Sequence, residues 1–533
     1  MADAVVIGAG PNGLTAANLL ADAGWKVLVL EEQPEPGGAV RSDCGVDPDF
    51  VSDVFSSFYP LAAASPVLRA LRLEEDGLRW SHAPSVLAHP LPDGRCAVLE
   101  RDVAATAAGL ERFGAGDGEA WRELHGLWER FGSELLGCLF TPFPPVRPGL
   151  RLLGKARGAG ALRLARTMLL PARRLGEEYF EGEGGRLLLA GNALHADLSP
   201  ESAIGGGFGW LMSMLAQSHG FPVPVGGAGS LTAALVRRLE RHGGQVRCGE
   251  RVTEVIVRNG RALGVRTADG NAVRARRAVL ADVSAPTLFT ELVAAEHLPA
   301  QLLRDVHRGF QWDFSTFKVD WALSGPVPWT AEPAAGAGTV HLADGVDDLT
   351  RFAAQLATRH VPDRPFLLVG QMTTADPTRS PQGTESAWAY THVPQRIEHD
   401  AGADGILGSW NEREQEAMAD RIEAQVERFA PGFRSRIRNR RVLSPVTLQR
   451  MDANLHGGAI NGGTTALHQQ LVLRPTPGTG RPETPVNGLY LASASAHPGG
   501  GVHGIPGANA ARAALRSPAT RAVLTTARRT LAG

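Results

Sequence analysis

The sequence predicts an α/β protein in which a Rossmann-type domain carries an inserted α+β domain, and three observations support this. Near the start of the chain, an apolar strand, a glycine turn and a helix follow one another within residues 4–23. A second strand, glycine-rich loop and helix lie near the other end, within residues 488–515. The chain has 533 residues, more than one hydrophobic core usually organises, so two domains are expected.

The first turn has the spacing of a dinucleotide-binding loop. Gly8, Gly10 and Gly13 stand between the apolar strand and the helix. The first glycine permits the tight turn, the second lets the backbone approach a pyrophosphate, and the third lets the helix pack closely on the strand. The phosphates would lie at the N-terminus of the helix, where unpaired N–H groups and the helix dipole favour an anion. We therefore predict a dinucleotide site here.

The next segment favours FAD over NAD. Glu31 ends the second predicted strand, residues 26–30, at the spacing expected for a carboxylate that accepts from the adenosine ribose hydroxyls, and it disfavours a 2′-phosphate. Gly37 and Gly38 then precede Arg41 in a pair that resembles the second glycine signature of flavoproteins. Bare glycines there would let the backbone pass close to a ribityl chain and phosphates. An ordinary Pro/Gly loop is the alternative.

Together these motifs resemble those of the phytoene desaturase-like FAD-dependent oxidoreductases, a superfamily that includes carotenoid desaturases, carotenoid isomerases and retinol saturase-like enzymes. Further matching segments are a PVGGAGSL run at residues 224–231, a strand meander at 251–282 and a WAYTHVP run at 388–394. The resemblance covers nearly the whole chain and is closest to the branch of unassigned pyridine nucleotide-disulphide oxidoreductase domain-containing proteins. It implies a glutathione reductase/amine oxidase-like FAD-binding fold.

The resemblance also implies which residues hold FAD. The second glycine-rich loop would close over the flavin, so that the helix dipole at residues 504–509 faces the pyrimidine side of the isoalloxazine, which bears negative charge on reduction. Many relatives carry an acidic residue in this loop, where this chain has Ser493, Ala494 and Ser495, and a serine hydroxyl or a backbone N–H would substitute. The predicted cofactor-binding residues are Gly8, Gly10, Gly13, Glu31, Gly37, Gly38, Arg41, Val252, Asp282, Ser495, Val502, Gly504, Ile505 and Asn509.

Both predicted domains are discontinuous in sequence. The FAD-binding domain is expected to combine residues 1–75, 220–290 and 445–533, and the substrate-binding domain residues 76–219 and 291–444. No second GxGxxG motif follows a strand elsewhere in the sequence, so no separate NADPH domain is expected. Electrons from the flavin would therefore pass to oxygen, a quinone or another carrier.

Composition excludes several classes of function. The formal net charge of −1 supplies no global field for nucleic acid, and the four cysteines show no spacing that suits zinc or a redox pair. No metal site is predicted. No segment approaches the roughly 20 apolar residues of a membrane-spanning helix, and the chain enters a strand without a basic leader, so a cytoplasmic location is expected.

A basic and apolar segment at residues 145–174 leaves contact with a membrane open. Arginines alternate there with leucine-rich turns, a composition that suits an anionic bilayer surface through which a lipophilic substrate could enter. A solvated helical face above a buried leucine stripe is the alternative. We therefore expect a small-molecule substrate, with peripheral membrane contact as one of two possibilities.

The predicted chemistry is dehydrogenation. FAD in this fold accepts a hydride at N5 from a C–H bond laid against the ring, so the protein would desaturate or oxidise a C–C or C–N bond of a lipophilic or secondary-metabolite substrate. His503 and His497 flank the glycines of the second loop, and His392 and Lys318 lie in the predicted substrate domain; these four residues are the catalytic candidates.

Three alternatives to dehydrogenation stay open. Flavin amine oxidases often use a lysine-held water near N5, and Lys318 is one of only three lysines in the sequence, so an amine oxidase is the first alternative. Lys318 and Asp320 share one strand face, where they either pair at the surface or line the cavity. The others are a non-redox polyene isomerase that uses reduced FAD and a redox-inactive interaction protein.

Overall fold

The computed structural model describes residues 1–517, so residues 518–533 of the predicted segment 445–533 lie outside the described residues. Two seven-stranded sheets organise the fold. The first sheet contains Ala2–Ile7, Val27–Leu30, Gln245–Arg247, Val252–Arg258, Arg261–Thr267, Ala272–Ala281 and Leu489–Leu491. The second contains Ser85–Pro90, Cys96–Leu99, Ser315–Leu323, Ala337–Leu342, Leu367–Gln371, Glu385–Val393 and Ile437–Leu443.

Helices and three short strand pairs complete the described part of the chain. The strand pairs are Ser42–Asp47 with Phe50–Asp53, Trp80–Ser81 with Val223–Pro224, and His360–Val361 with His399–Asp400. The α-helices are Pro11–Asp22, Pro60–Ala64, Pro66–Ala70, Val103–Leu110, Asp117–Leu139, Val146–Ala156, Ala159–Leu169, Ala172–Tyr179, Glu183–Leu194, Gly205–His219, Gly229–Arg241, Ala300–Gly309, Val346–Ala357, Met372–Ala375, Glu412–Phe429, Pro445–Met451 and Ile505–Arg516.

The centre of the first sheet is parallel and joins distant parts of the sequence. Ala2–Ile7 pairs with Val27–Leu30 on one side and with Ala272–Ala281 on the other, and the latter pairs with Leu489–Leu491. Because all four strands are parallel, their carboxyl ends meet at one edge of the sheet, where Rossmann-type folds bind their ligands. The two glycine-rich turns of the sequence both lie at this edge.

The first strand is apolar throughout because both of its faces are covered. Ala4 and Val6 pack into a core that includes the helix Pro11–Asp22, whereas Val5 and Ile7 pack into a core on the opposite face of the sheet. Strands of a parallel sheet that is buried on both faces show continuous apolar runs instead of alternation. This explains why the opening segment of the chain is so clear a strand signal.

The second sheet is mostly antiparallel and supplies a wall of the inserted region. Ser315–Leu323 lies between Glu385–Val393 and Ile437–Leu443, and all nine of its residues are buried. One face packs on the helix Glu412–Phe429 through Phe317, Val319 and Trp321. The alternate residues are buried on the opposite face of the sheet. Strands with helices grouped around them give the α+β architecture that was expected for the inserted part.

The structure confirms the predicted α/β Rossmann-type fold. The second strand is Val27–Leu30 instead of 26–30, and the C-terminal strand, which the sequence predicts at the start of the segment 488–515, is Leu489–Leu491. The meander forms three strands, with positive φ at both Asn259 and Gly260 in its first turn. The domain boundaries stay predictions. Within residues 1–517, no helix has the length and apolar composition needed to cross a bilayer.

We predict that Gly507→Ala destabilises the protein by disturbing the contact between its first and last described helices. A methyl group at Gly507 would lie 1.9 Å from the carbonyl oxygen of Asn12, so the helix Ile505–Arg516 would have to move. We expect a loss of about 1–3 kcal/mol of stability, measured as a lower midpoint of thermal unfolding. Gly149→Ala is the matched control, because no atom lies within 4 Å of its added methyl group. A midpoint for Gly507→Ala equal to that of the control would contradict this packing.

Candidate active site

A single cavity of about 730 Å³ runs from the first glycine turn to the second sheet. Its volume lies within the range of small-molecule and cofactor pockets. Residues of the first sheet and its turns line one end, including Gly8, Gly10, Asn12, Glu31, Gly38, Val252 and Asp282. Residues of the inserted region line the other end, including His195, Phe208, Leu211, Phe221, Lys318, Trp388 and Tyr390. The cavity therefore joins the predicted cofactor site to the predicted substrate site.

The glycines of the first turn make room for the end of a neighbouring strand. The Gly13 N–H donates to the Oδ2 of Asp282 at 2.7 Å. A methyl group at Gly10 would lie 2.8 Å from the same oxygen, and one at Gly13 would lie 2.2 Å from the Gly8 carbonyl oxygen. Bare backbone is therefore required at these positions by the protein's own packing. The approach of a pyrophosphate to Gly10 stays a prediction.

Glu31 holds the glycine turn against the end of the second strand. Its Oε2 accepts from the Ala9 N–H at 2.7 Å, and its Oε1 accepts from the Gln33 N–H at 2.9 Å. The side chain is almost fully buried and lines the cavity. Each carboxylate oxygen can accept a further hydrogen bond, so the predicted ribose contact is compatible with this geometry.

The second glycine pair packs against the first turn. Gly38 lines the cavity, and a methyl group there would lie 3.1 Å from the Cα of Gly10. Gly37 has φ 127°, and a methyl group there would lie 2.6 Å from the Val40 carbonyl oxygen. Arg41 lies behind the wall, where its Nε donates to the Gly38 carbonyl at 3.0 Å. Gly37 and Arg41 therefore shape the loop without lining the cavity.

The C-terminal loop closes the same end of the cavity. Ser495 and Val502 line it, whereas Gly504, Ile505 and Asn509 lie behind the wall. Gly504 packs on the first helix, because a methyl group there would lie 2.5 Å from the Thr15 Oγ1. Ser495 Oγ donates to the Gly462 carbonyl at 2.9 Å, which leaves its oxygen able to accept from a ligand hydroxyl, as the acidic residue of relatives would.

Two buried carboxyl groups at the cofactor end have raised pKa values. Burial raises the pKa of Asp282 to about 8, and it raises the pKa of Asp452 to about 6. Asn454, which follows Asp452, donates from its amide to the Asp282 backbone carbonyl at 3.0 Å. Asp282 is therefore mostly neutral at pH 7, so it does not repel an approaching phosphate.

These features fit a bound FAD. The N-terminus of the helix Pro11–Asp22 opens on the cavity through Pro11 and Asn12. The side-chain oxygen of Asn12 is enclosed and has no hydrogen-bond partner within residues 1–517, so it can accept from a ligand hydroxyl. A neutral Asp282 and a helix N-terminus suit a pyrophosphate, and Glu31 suits a ribose.

Lys318 lies on the cavity wall in a buried ion pair. Its Nζ pairs with Asp320 and donates to the Asp53 carbonyl at 2.8 Å, and burial lowers its pKa. Asp320 also pairs with Arg441 at 2.8 Å. The alternative of a surface ion pair was therefore wrong, because the strand Ser315–Leu323 is covered on both faces.

The three predicted histidines occupy different environments. His503 lines the cavity, and its Nδ1 accepts from the Ile505 N–H at 3.1 Å at the start of the last described helix. His497 lies behind the wall, with its Nε2 3.0 Å from the Thr141 carbonyl oxygen. His392 also lies behind the wall, with its Nε2 3.1 Å from the Oδ1 of Asp197. Burial lowers the pKa of His503 and of His392 to about 4.

Among the polar residues of the wall that sequence reasoning missed are His195 and Asp452. Neither stands in a motif. His195 follows the helix Glu183–Leu194, and Asp452 follows the helix Pro445–Met451, so each reaches the cavity only through long-range packing. No local signal would have separated them from ordinary helix-terminal residues. The catalytic roles proposed for the four candidates stay predictions.

Comparison with known proteins agrees with this geometry. A family model described as flavin containing amine oxidoreductase matches residues 12–514. The pyridine nucleotide-disulfide oxidoreductase domain-containing protein 2 of Mus musculus is 28% identical, over 96% of this chain and 93% of its own. A component of the limonene dehydrogenase of Castellaniella defragrans is 25% identical, over 96% and 94%. The crystal structure of an oxidoreductase from Methanosarcina mazei matches with a TM-score of 0.62 at 17% identity, over 96% of this chain and 100% of that one.

We predict that FAD affinity falls as pH rises through about 8, the pKa of Asp282. Below this pH the carboxyl group is neutral, and above it a negative charge would face the pyrophosphate of a bound FAD. We expect the dissociation constant of FAD to rise about tenfold between pH 7 and pH 9, as measured by fluorescence titration of the apoprotein with FAD. The substitution Asp282→Asn should abolish this rise. Asp452→Asn is the matched control and should keep the rise but move it to lower pH, because the charge of Asp452 contributes to the raised pKa of Asp282. The same rise in Asp282→Asn would contradict this account.

Proposed function

Because the chain belongs to the flavin-containing amine oxidoreductase family, we propose that it is an FAD-dependent dehydrogenase or oxidase that oxidises a C–C or C–N bond of a lipophilic small molecule. The observation that carries the proposal is the continuous cavity, which brings the dinucleotide turn and the inserted region into one enclosed space. The relative from limonene dehydrogenase supports dehydrogenation of a lipophilic substrate.

The inserted region positions the substrate and excludes water. FAD, when bound, supplies a hydride acceptor at N5. The apolar and aromatic side chains of the far end, Phe208, Leu211, Phe221 and Trp388, hold a C–H bond in a fixed orientation. Such positioning matters more than a strong base for an unactivated C–H bond. The electron acceptor that we propose is oxygen or a quinone.

His503 serves in this proposal as a neutral hydrogen-bonding group. Burial holds its pKa at about 4, so the imidazole is uncharged at pH 7. Its Nδ1 is engaged with the Ile505 N–H, so its proton lies on Nε2. His503 therefore presents an uncharged N–H donor that also interacts with the Gly500 backbone carbonyl, so it adds no positive charge at the cofactor end, and any proton that must leave the substrate passes to water.

One observation favours an amine oxidase as a second candidate. Lys318 is buried on the cavity wall instead of exposed. Two of its three ammonium protons are directed at Asp320 and at the Asp53 carbonyl, which leaves one donor for a water molecule. A water held there would fit the amine oxidase alternative, whose substrate carries the C–N bond.

We predict that the FAD-loaded protein loses its oxidised-flavin absorbance when it is mixed anaerobically with a substrate of this class. Limonene tests the lipophilic C–C donor, and benzylamine tests the amine. Net hydride transfer must bleach the visible band, whereas isomerisation leaves the flavin redox state unchanged. Free FAD with each compound is the control. A panel of lipophilic alkenes and amines that leaves the band intact, with isomerised product in the mixture, would reject dehydrogenation in favour of the isomerase.

We further propose that an anionic bilayer delivers the substrate. Two consecutive helices, Val146–Ala156 and Ala159–Leu169, form a hairpin with large apolar side chains that are more than half exposed: Val146, Leu150, Leu153, Leu162 and Leu169. Lys155 pairs with Glu134 and Arg166 pairs with Glu178, whereas the other four basic residues of the hairpin have no ion pair within the described chain: Arg147, Arg151, Arg157 and Arg163. Apolar side chains beside unpaired basic ones suit the headgroup region of an anionic membrane.

The position of this hairpin in the chain, close to a helix that lines the cavity, supports delivery of substrate from a membrane. The helix Asp117–Leu139 ends shortly before it, and Leu139 itself lines the cavity. The hairpin therefore follows only a few residues after a residue of the cavity wall, so a lipophilic molecule that leaves the bilayer there would enter close to the site. The solvated-face alternative is weakened by the exposure of the leucines, because a buried leucine stripe would hide them.

We predict that Leu162→Glu weakens binding to vesicles that contain phosphatidylcholine and phosphatidylserine. Leu162 is 75% exposed on the hairpin, and the loss of its burial in lipid should reduce affinity about tenfold or more in co-sedimentation. Leu407→Glu is the matched control, because Leu407 is 64% exposed outside the hairpin. Equal binding of the two variants, or equal binding of the wild type to vesicles without phosphatidylserine, would contradict the proposal.

A further inference from the structure

Two imidazoles are in direct contact at the substrate end of the cavity. The Nε2 of His195 lies 2.7 Å from the Nε2 of His341. His341 stands on the strand Ala337–Leu342 and is completely buried, whereas His195 lines the cavity. Gly191 permits the contact, because a methyl group there would lie 2.4 Å from the Nδ1 of His341. The pair is therefore a packed feature of the wall and not a chance encounter of exposed side chains.

Neither imidazole carries a positive charge near neutral pH. Burial lowers the pKa of His195 to about 3 and holds that of His341 well below its usual range. Two neutral imidazoles can share only one proton across a nitrogen–nitrogen contact, so one ring donates and the other accepts. The direction of this bond decides which nitrogen of His195 carries its proton.

The surroundings of His341 fix that direction. Its Nδ1 is enclosed and has no hydrogen-bond partner among the described residues. A proton on that nitrogen would leave a buried N–H donor unsatisfied, at a cost of about 1–3 kcal/mol, and such orphaned donors are rare. The proton of His341 therefore lies on Nε2 and is donated to the Nε2 of His195. His195 must then carry its own proton on Nδ1.

The Nδ1 of His195 is open to the cavity. It makes no hydrogen bond within residues 1–517, yet it is not among the polar atoms that are sealed from solvent. The Phe221 ring lies beside His195, with 6.1 Å between the ring centroids, and Phe208 and Tyr390 line the same cavity. An N–H donor that faces an apolar cavity contributes to specificity. A ligand without an acceptor displaces water from this N–H and leaves it unpaired, which weakens binding.

We propose that His195 donates this hydrogen bond to an oxygen atom of the substrate, so that the lipophilic substrate carries a carbonyl, hydroxyl or ether group at that end. His341 is the positioning residue, because it holds the donor tautomer. The inference rests on the proposed function only in taking this cavity as the substrate site. It adds that, among lipophilic molecules, those with an acceptor oxygen bind more tightly than hydrocarbons such as limonene.

The neighbouring charged groups do not compete for the donor. Asp197 lies 3.1 Å from the Nε2 of His392 and accepts from the Phe314 N–H. Asp313 is engaged by three backbone N–H groups, of Ile460, Asn461 and Gly463. Asp313 and the Oδ2 of Asp197 therefore have partners of their own. The Oδ1 of Asp197 accepts no hydrogen bond within residues 1–517, and no hydrogen bond joins it to His195, so the donor of His195 is left for a ligand.

The tautomer can be measured directly. Long-range 1H–15N correlation spectra of the FAD-loaded protein with 15N-labelled histidine distinguish the two neutral tautomers from the imidazolium. The resonances of His195 are those that vanish in His195→Phe. We expect the Nδ1–H form at pH 7.5 in the wild type, and its replacement by a mixture in His341→Phe. An Nε2–H form or an imidazolium at His195 in the wild type would overturn the proposal.

Binding of two matched probes tests the recognition step. Acetophenone carries an acceptor oxygen and ethylbenzene does not, and their dissociation constants are read from perturbation of the flavin spectrum. We expect His195→Phe to lose about tenfold in affinity for acetophenone and little for ethylbenzene, and His195→Asn, which keeps an N–H donor, to retain the preference. Equal losses for both probes, or a wild type that prefers neither or binds neither, would overturn it.

This outcome is separable from that of the proposed function, because neither measurement requires turnover. A protein that never bleaches its flavin but keeps the acetophenone preference would reject the dehydrogenase and leave the role of His195 intact. The opposite result is a protein that bleaches its flavin with an alkene and whose His195→Phe variant binds both probes like the wild type. It would support the dehydrogenase and reject the role of His195.

Discussion

The close approach of three chain segments at the carboxyl edge of the first sheet is the constraint on which the rest depends. The first glycine turn, the end of the strand Ala272–Ala281 and the helix Ile505–Arg516 are in contact there. Glycine is required wherever they touch, because a methyl group at Gly10 would meet the Asp282 carboxylate and one at Gly507 would meet the Asn12 carbonyl. This packing fixes the cofactor end of the cavity and, through the parallel strands, joins both ends of the sequence.

Burial then sets the charge of the cavity wall. It raises the pKa of Asp282 and lowers the pKa of His503 and His195, so that all three groups are mainly uncharged near neutral pH. Lys318 keeps its partner Asp320 within the wall. The neutral state of these three groups has two consequences: the Asp282 end tolerates a phosphate, and the His195 end admits a lipophilic molecule.

The two ends of the cavity differ in how far the sequence revealed them. The cofactor end depends on local motifs, so Gly8, Gly38 and Asp282 were predicted and do line the cavity. The substrate end depends on side chains from separate helices and strands. There the sequence analysis named His392, which lies behind the wall, and did not name His195, which lines the cavity. A histidine in a strand carries no local sign of which face it occupies once both faces are buried.

The sequence by itself determined the Rossmann-type fold and the place of its turns, because the alternation of apolar strand, glycine and helix is dictated by short-range geometry. Only the tertiary structure decided which polar groups face the cavity and in what protonation state. Those properties depend on desolvation and on contacts between residues far apart in the chain, such as His195 with His341 and Lys318 with Asp320. The residues that flank a side chain in sequence determine neither its burial nor its long-range partner.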